Sequence, residues 1–185
     1  MIENDNPFVT HSSEVIYETR WIKVRKDKIT HPTEGESVYS YVEVRNSVVV
    51  VPRSAENEIF LIKKFAYPTK IWLWELPGGG GEINEDITET ARRELAEETG
   101  LASNEWQTLG KSVAYNGIST EWQYTLLANN VTQGERISSG DKGEVLDGKF
   151  FTRNEIRQMI KNGEVADNQT LAALELFYVK SEEIK

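Results

Sequence analysis

Glu94, Glu97 and Glu98 stand at positions i, i+3 and i+4 of a run that reads as helix, so their carboxylates gather on one face. Like charges at that spacing repel and cost stability. A solvated acidic face is one reading of such a run. The context points to another, because the run follows four glycines, Gly78 to Gly81. Hard divalent cations take clustered oxygen ligands, and one bound here would let the cluster grip phosphate oxygens and activate water. Four consecutive glycines lose much entropy on ordering, which implies a close approach of backbone to a ligand or ion rather than a merely flexible loop. Backbone groups in such a loop can face a phosphate or lend a carbonyl to a cation.

The element that must position these carboxylates is delimited by its own signals. Asp86 is placed as a helix N-cap, with Glu89 three residues on as a capping-box partner. Ile87, Ala91 and Leu95 recur every fourth residue and give the helix one face to bury. Gly100 ends it as a C-cap.

Around this helix the chain alternates strand and turn signals. Residues 1–12 are polar and acidic and read as a flexible N-terminus. Residues 14–18, 21–30 and 38–45, rich in Val, Ile, Tyr and Trp alternating with charges, read as three strands of a small antiparallel sheet over 13–45. Such a sheet needs the main domain or a second subunit for stability. Trp21 either packs within it or faces a ligand. Ser47–Pro52 is an unbroken apolar strand, as a sheet covered on both faces requires. Further strands are expected at 59–65, 71–76, 105–115 with a break at Gly110, 122–128 and 149–151. Residues 130–148 read as a long polar loop, a length often tied to function, on which Asp141 and Glu144 sit. Thr152 and Glu155 form a second capping box, Asp167 caps a last helix, and Leu171, Leu174, Phe177 and Tyr178 form its apolar stripe. The fold class is therefore α/β (α+β): a mixed sheet between helical layers over residues 46–185, preceded by the small β-domain.

Composition narrows the function. The chain has 185 residues, 38% hydrophobic and 28% charged, which is that of one ordinary globular domain with at most a small appendage. A net charge of −9 and a pI near 4.9 argue against nucleic acid as partner. An anionic substrate would need a cation or a local basic pocket. The absence of cysteine removes disulfides, thiolate metal sites and a Cys nucleophile. No apolar run reaches membrane-spanning length and no signal peptide is evident, so a cytoplasmic location is expected. His11 and His31, the two histidines, have no evident partners, and a Ser-His-Asp hydrolase is not expected.

Gly79, five residues, Glu85, seven residues, Arg93-Glu94-Leu95, one residue, Glu97-Glu98, one residue, Gly100-Leu101: this pattern resembles the Nudix box at every constrained position. A chance match at a given start is on the order of 10⁻⁹ from average residue usage. The resemblance implies an α/β/α sandwich with a mixed sheet, Mg²⁺ or Mn²⁺ as cofactor, and hydrolysis of diphosphate linkages. It implies metal binding by Glu94, Glu97, Glu98 and the carbonyl of Gly78. Gly79, Glu85 and Arg93 would brace the loop and helix. Residues 74–79 (WELPGG), the segment 117–121 and the ending 163–174 are similar to the ADP-ribose pyrophosphatase branch, which carries an N-terminal β-domain exchanged across a homodimer. By that resemblance Trp21, Glu75, Gly117 and Glu121 contact substrate, and the catalytic carboxylate comes from Glu97, Glu144 or Asp141. Two departures bear on substrate choice: Ala66 stands where the branch has Arg, and Asn116 where it has Pro. ADP-ribose is the first expected substrate, with GDP-mannose or another nucleoside diphosphate derivative open. A non-catalytic nucleotide-sugar sensor and a triphosphate-cleaning enzyme are the rival readings.

Overall fold

The computed structural model describes residues 6–82, 84–134 and 145–182. Three strands open the chain: β1 (Val9–Glu18), β2 (Ile22–His31) and β3 (Gly35–Val44), antiparallel in the order β1-β2-β3. β1 begins at Val9, so residues 9–12 are strand rather than flexible terminus. The reason is non-local: Val9 lies opposite Thr30, and the His11 ring is 2.7 Å from the Thr30 hydroxyl. Every residue of β1 is exposed, so no apolar alternation marks where it starts. Residues 113–121 belong to the same compact unit. They run beside β3, where the Val42 N–H donates to Ile118 O at 2.8 Å and the Thr120 N–H to Val42 O at 3.1 Å.

The second unit comprises residues 46–112 and 122–185. Its elements are β4 (Ser47–Pro52), β5 (Ile59–Ala66), β6 (Ile71–Glu75), β7 (Gly78–Gly80), α1 (Ile87–Thr99), β8 (Leu101–Ala102), β9 (Glu105–Val113), β10 (Trp122–Asn129), β11 (Thr132–Gln133), β12 (Val145–Phe151), α2 (Arg153–Lys161) and α3 (Asn168–Glu182). One sheet has the order β7-β4-β10-β9 and is mixed, since β4 pairs parallel with β10 and antiparallel with β7. A second has the order β12-β5-β6, and β11 pairs with β8. β9 runs unbroken through Gly110. The expected loop 130–148 contains β11 and the first half of β12. Pairing with β5 carries β12 through Asp147 and Gly148, poor strand formers, with a register shift between Val145 and Asp147.

β4 shows why its sequence is apolar throughout. Successive side chains point to opposite faces. Val48 and Val50 join Ala91 and Leu95 of α1 in one core, while Val49 and Val51 join Ile156 and Met159 of α2 and Leu174 and Phe177 of α3 in the other. The sheet thus lies between helical layers, as the resemblance implied.

The helix ends follow their caps. Asp86 accepts from the Thr88 N–H at 2.8 Å, and Gly100 closes α1 in the left-handed region, φ 72°. Glu89 does not complete a capping box: it pairs with Arg92 at 3.6 Å, one turn along the exposed face. Thr152 and Glu155 do form the reciprocal box of α2, and Asp167 accepts from the Thr170 N–H at 2.7 Å at the start of α3.

Candidate active site

α1 buries Ala91 and Leu95 on the sheet, and the same rotation places Glu94 and Glu98 near its edge, 9% and 6% exposed. Arg93 holds this corner together. Its Nε and Nη2 donate to the two oxygens of Glu85 at 3.0 and 3.1 Å, its Nη1 to Glu94 at 2.7 Å and Glu97 at 3.2 Å, and Nη2 again to the Gly80 carbonyl at 3.2 Å. These five bonds engage all five guanidinium N–H groups, a set no lysine could supply. Glu85 also accepts from the Thr90 hydroxyl and the Glu82 N–H, both at 2.9 Å. The Arg93 hydrogen bond, against some burial, holds the Glu85 carboxyl down at about 2. The structure brings Glu85 and Arg93, to which the resemblance gives a bracing role, into contact here.

The glycines have distinct steric reasons. A Cβ on Gly79 would sit 2.7 Å from the Glu94 carboxylate, and one on Gly78 would sit 2.2 Å from the backbone oxygen of Val48. Backbone cannot yield as a side chain can, so Gly78→Ala is expected to cost about 3 kcal/mol of stability. Urea denaturation reads this directly, and a loss under about 1 kcal/mol would contradict the packing of β7 on β4.

Glu98 is held on both oxygens: the Lys64 ammonium lies 2.6 Å from Oε1, and the Gly78 N–H donates to Oε2 at 2.8 Å. Among the described residues, no three carboxylates group closely enough to hold one ion. The three glutamates expected to converge are instead divided between two basic side chains: Glu94 and Glu97 share Arg93, while Glu98 takes Lys64. The carboxylates repel one another, and in a poorly solvated corner each lowers that cost by taking a basic partner at contact. The donor set still fits a hard divalent ion. It is all oxygen, two of its carboxylates are nine-tenths buried, and Gly79 lets the loop backbone lie against the Glu94 carboxylate, where a Cβ would collide with it. Burial pushes the Glu94 carboxyl above its usual range, Arg93 pulls it back, and Glu98 and Glu97 add to the rise. More positive charge would relieve that cost.

Glu75 lies opposite Ile62 across the β5–β6 pair and so shares a face with Lys64. Burial raises its carboxyl to about 7; Lys64 opposes the rise, and Asp167 and Glu98 add to it. A native value above the ordinary 4.5 favours the protonated native state. The resulting stability is full below that value and is lost as pH rises through about 7. In chelator, the protein is expected to lose on the order of 2 kcal/mol between pH 5 and pH 8 that Glu75→Gln does not lose. Parallel denaturation curves for the two proteins at both pH values would contradict this.

A cavity of about 200 Å³ opens beside Glu98, lined also by Phe60, Ile62, Thr99, Asp147 and Gly148. A larger one, about 380 Å³, is lined by Arg53, Trp106, Leu109 and Ser181 and contains none of the acidic triplet. The chemistry favours the smaller. Trp21 is 58% exposed, with the Arg20 guanidinium 4.2 Å from its ring centre, so it is not packed into its sheet. Gly117 accepts from the Tyr39 hydroxyl at 3.0 Å, and the Glu121 N–H donates to the Ser119 hydroxyl at 3.0 Å; both lie in the N-terminal unit, as Trp21 does. Asp141 and Glu144 lie outside the described residues. Lys64, Thr90 and Gly80 were not singled out from sequence. The Lys63-Lys64 pair in the otherwise apolar β5 was the available signal for Lys64.

Residues 43–174 match the NUDIX domain, and residues 9–42 match the nucleoside diphosphate sugar hydrolase N-terminal domain. The chain belongs to the NUDIX family. Its N-terminal match sets it apart as a NUDIX chain with an additional N-terminal domain. It is 28% identical to a methanol dehydrogenase activator of Bacillus methanolicus, over 90% of each chain. It is 25% identical to an ADP-ribose pyrophosphatase of Bacillus subtilis, over 92% of each. The crystal structure of an ADP compounds hydrolase shares the fold, with a TM-score of 0.81 at 17% identity and 95% of each chain covered. Among the described residues, no helix is long and apolar enough to cross a membrane.

Proposed function

We propose that the chain hydrolyses the diphosphate linkage of a nucleoside diphosphate sugar, with ADP-ribose the first substrate, in a reaction dependent on Mg²⁺ or Mn²⁺. The observation that carries this is the full engagement of Arg93, which holds Glu85, Glu94, Glu97 and the glycine strand as one unit. Glu98 stands at a cavity beside that unit. Glu94, Glu97, Glu98 and the Gly78 carbonyl would hold the cation, the three carboxylates closing on it from their positions on Arg93 and Lys64. When bound, it supplies Lewis-acid polarisation of phosphoryl oxygens and a more acidic water.

The chain's own residues do the rest. Arg93 and Glu85 fix the helix against the loop, so the carboxylates need not reorganise during reaction. Glu97, or Glu144 or Asp141 from the loop, accepts the proton of the attacking water. Trp21, Glu75, Gly117 and Glu121 are the proposed substrate contacts. The described surface of the N-terminal sheet, with Val15, Ile16 and Tyr17 exposed on β1, supports a homodimer that covers it. The location is proposed as cytoplasmic.

The test is phosphate released by a coupled phosphatase from ADP-ribose, GDP-mannose, NADH and dGTP, each with Mg²⁺. Turnover of a nucleoside diphosphate sugar above dGTP is expected; dGTP alone as substrate would overturn the reading. The likeness to a methanol dehydrogenase activator favours a second reading, in which the chain acts on another enzyme. Tight nucleotide-sugar binding without turnover would support a non-catalytic nucleotide-sugar sensor.

A further inference from the structure

Lys64 lies on β5, between β6 and β12, and shares a face with Phe60 and Ile62. Phe60 packs on the α1 side of the sheet, so that face turns Lys64 toward the carboxylate end of α1. There its ammonium lies 2.6 Å from Glu98, the side chains being 23% and 4% exposed. Arg93 supplies the positive charge for Glu85, Glu94 and Glu97, and Lys64 supplies it for Glu98.

We propose that Lys64 is a resident counter-ion for Glu98, which a divalent cation must displace, so that this lysine sets the metal concentration at which the site fills. The inference rests on the metal-site reading given above and deepens it. A carboxylate this buried is costly without a partner charge, and Lys64 meets that need in the metal-free protein. A dication taking the same carboxylate would bring like charges into contact, since two cations cannot both occupy the 2.6 Å position on Oε1. Binding therefore includes the work of moving the ammonium away. A lysine suits this exchange better than an arginine, because its single compact charge sits on a flexible stem and its partner geometry is not fixed by a fork. Glu98 keeps its second contact, the Gly78 N–H, whichever cation is present in this scheme. Lys64 is accordingly a positioning residue that acts on metal occupancy, not one that touches the reacting atoms.

The test is direct Mn²⁺ titration followed by the electron paramagnetic resonance of the free ion, with no substrate present. Lys64→Met and Lys64→Gln are expected to tighten Mn²⁺ binding about tenfold, whereas Lys64→Arg, which keeps the charge in a less yielding form, binds no more tightly than the parent. Thermal melts give a second readout. In chelator the Met variant melts below the parent, and saturating Mn²⁺ raises its midpoint by more than it raises the parent's. Should the Met variant fail to fold, the Gln variant, whose amide can still bond Glu98, carries the titration. Parent protein that binds Mn²⁺ while both neutral variants bind with unchanged or weaker affinity overturns the exchange and leaves the metal site standing. Parent protein that binds no Mn²⁺ overturns the metal-site reading and the exchange with it.

Discussion

Glu98→Gln leaves the protein folded and lowers turnover by about 10³-fold or more at saturating Mg²⁺, because the lost carboxylate removes several kcal/mol of cation-borne stabilisation at tenfold per 1.4 kcal/mol. Folding survives because the amide occupies the same volume and its oxygen still accepts from one of the two donors, the Lys64 ammonium or the Gly78 N–H. The side chain is also one of two carboxylates that are both nine-tenths buried and on the proposed ligand face, so no neighbour substitutes for it. Steady-state kinetics and a thermal melt on the same preparation separate the two effects. A folded variant as active as the parent would remove Glu98 from the site.

Arg93→Ala is expected to destabilise the protein by about 3 kcal/mol, near the lower end for breaking a buried ion pair because the side chain retains some solvent contact. It takes the guanidinium from three carboxylates and the Gly80 carbonyl, and leaves Glu85 with the Thr90 hydroxyl and the Glu82 N–H. Arg93→Lys should recover only part, since three N–H groups cannot meet five acceptor positions. The pH dependence gives the sign. Glu85 is held at about 2, below its ordinary 4.5, so its contribution is present above 4.5 and lost as pH falls toward 2. The gap between parent and alanine variant should therefore be wide at pH 7 and narrow at pH 3. Urea midpoints at both values check it, and a gap that is constant or below about 1 kcal/mol would refute the bracing role.

Much of this architecture is legible from residues close in sequence. α1 is announced by the Asp86 cap, the Ile87-Ala91-Leu95 period and Gly100, and α2 by the Thr152–Glu155 box. The two-sided burial of β4 follows from its five consecutive apolar or small residues before Pro52. What escaped depends on partners far along the chain. The extension of β1 to Val9 is set by pairing with Thr30, and β12 starts at Val145 because β5 lies beside it. Nothing local to residues 117–121 shows that Ile118 and Thr120 bond through their backbone to Val42 of β3, about seventy residues earlier. The site divides the same way. Helical spacing placed the three glutamates on one face, but it could not show which cation each would take. Lys64 reaches Glu98 across 34 positions of sequence. Glu89 shows the limit of local signals even within a helix: a capping box and an i,i+3 ion pair compete for it, and the pair with Arg92 forms.

The account stands on divalent-cation-dependent cleavage of a diphosphate bridge at the Glu94–Glu98 corner. Phosphorus-31 magnetic resonance of ADP-ribose incubated with the protein reads it most directly. The two coupled diphosphate signals should give way to two phosphomonoester signals with Mg²⁺ present and persist in chelator. Diphosphate signals unchanged with Mg²⁺ for ADP-ribose and for GDP-mannose alike, or cleavage that proceeds equally in chelator, would contradict it.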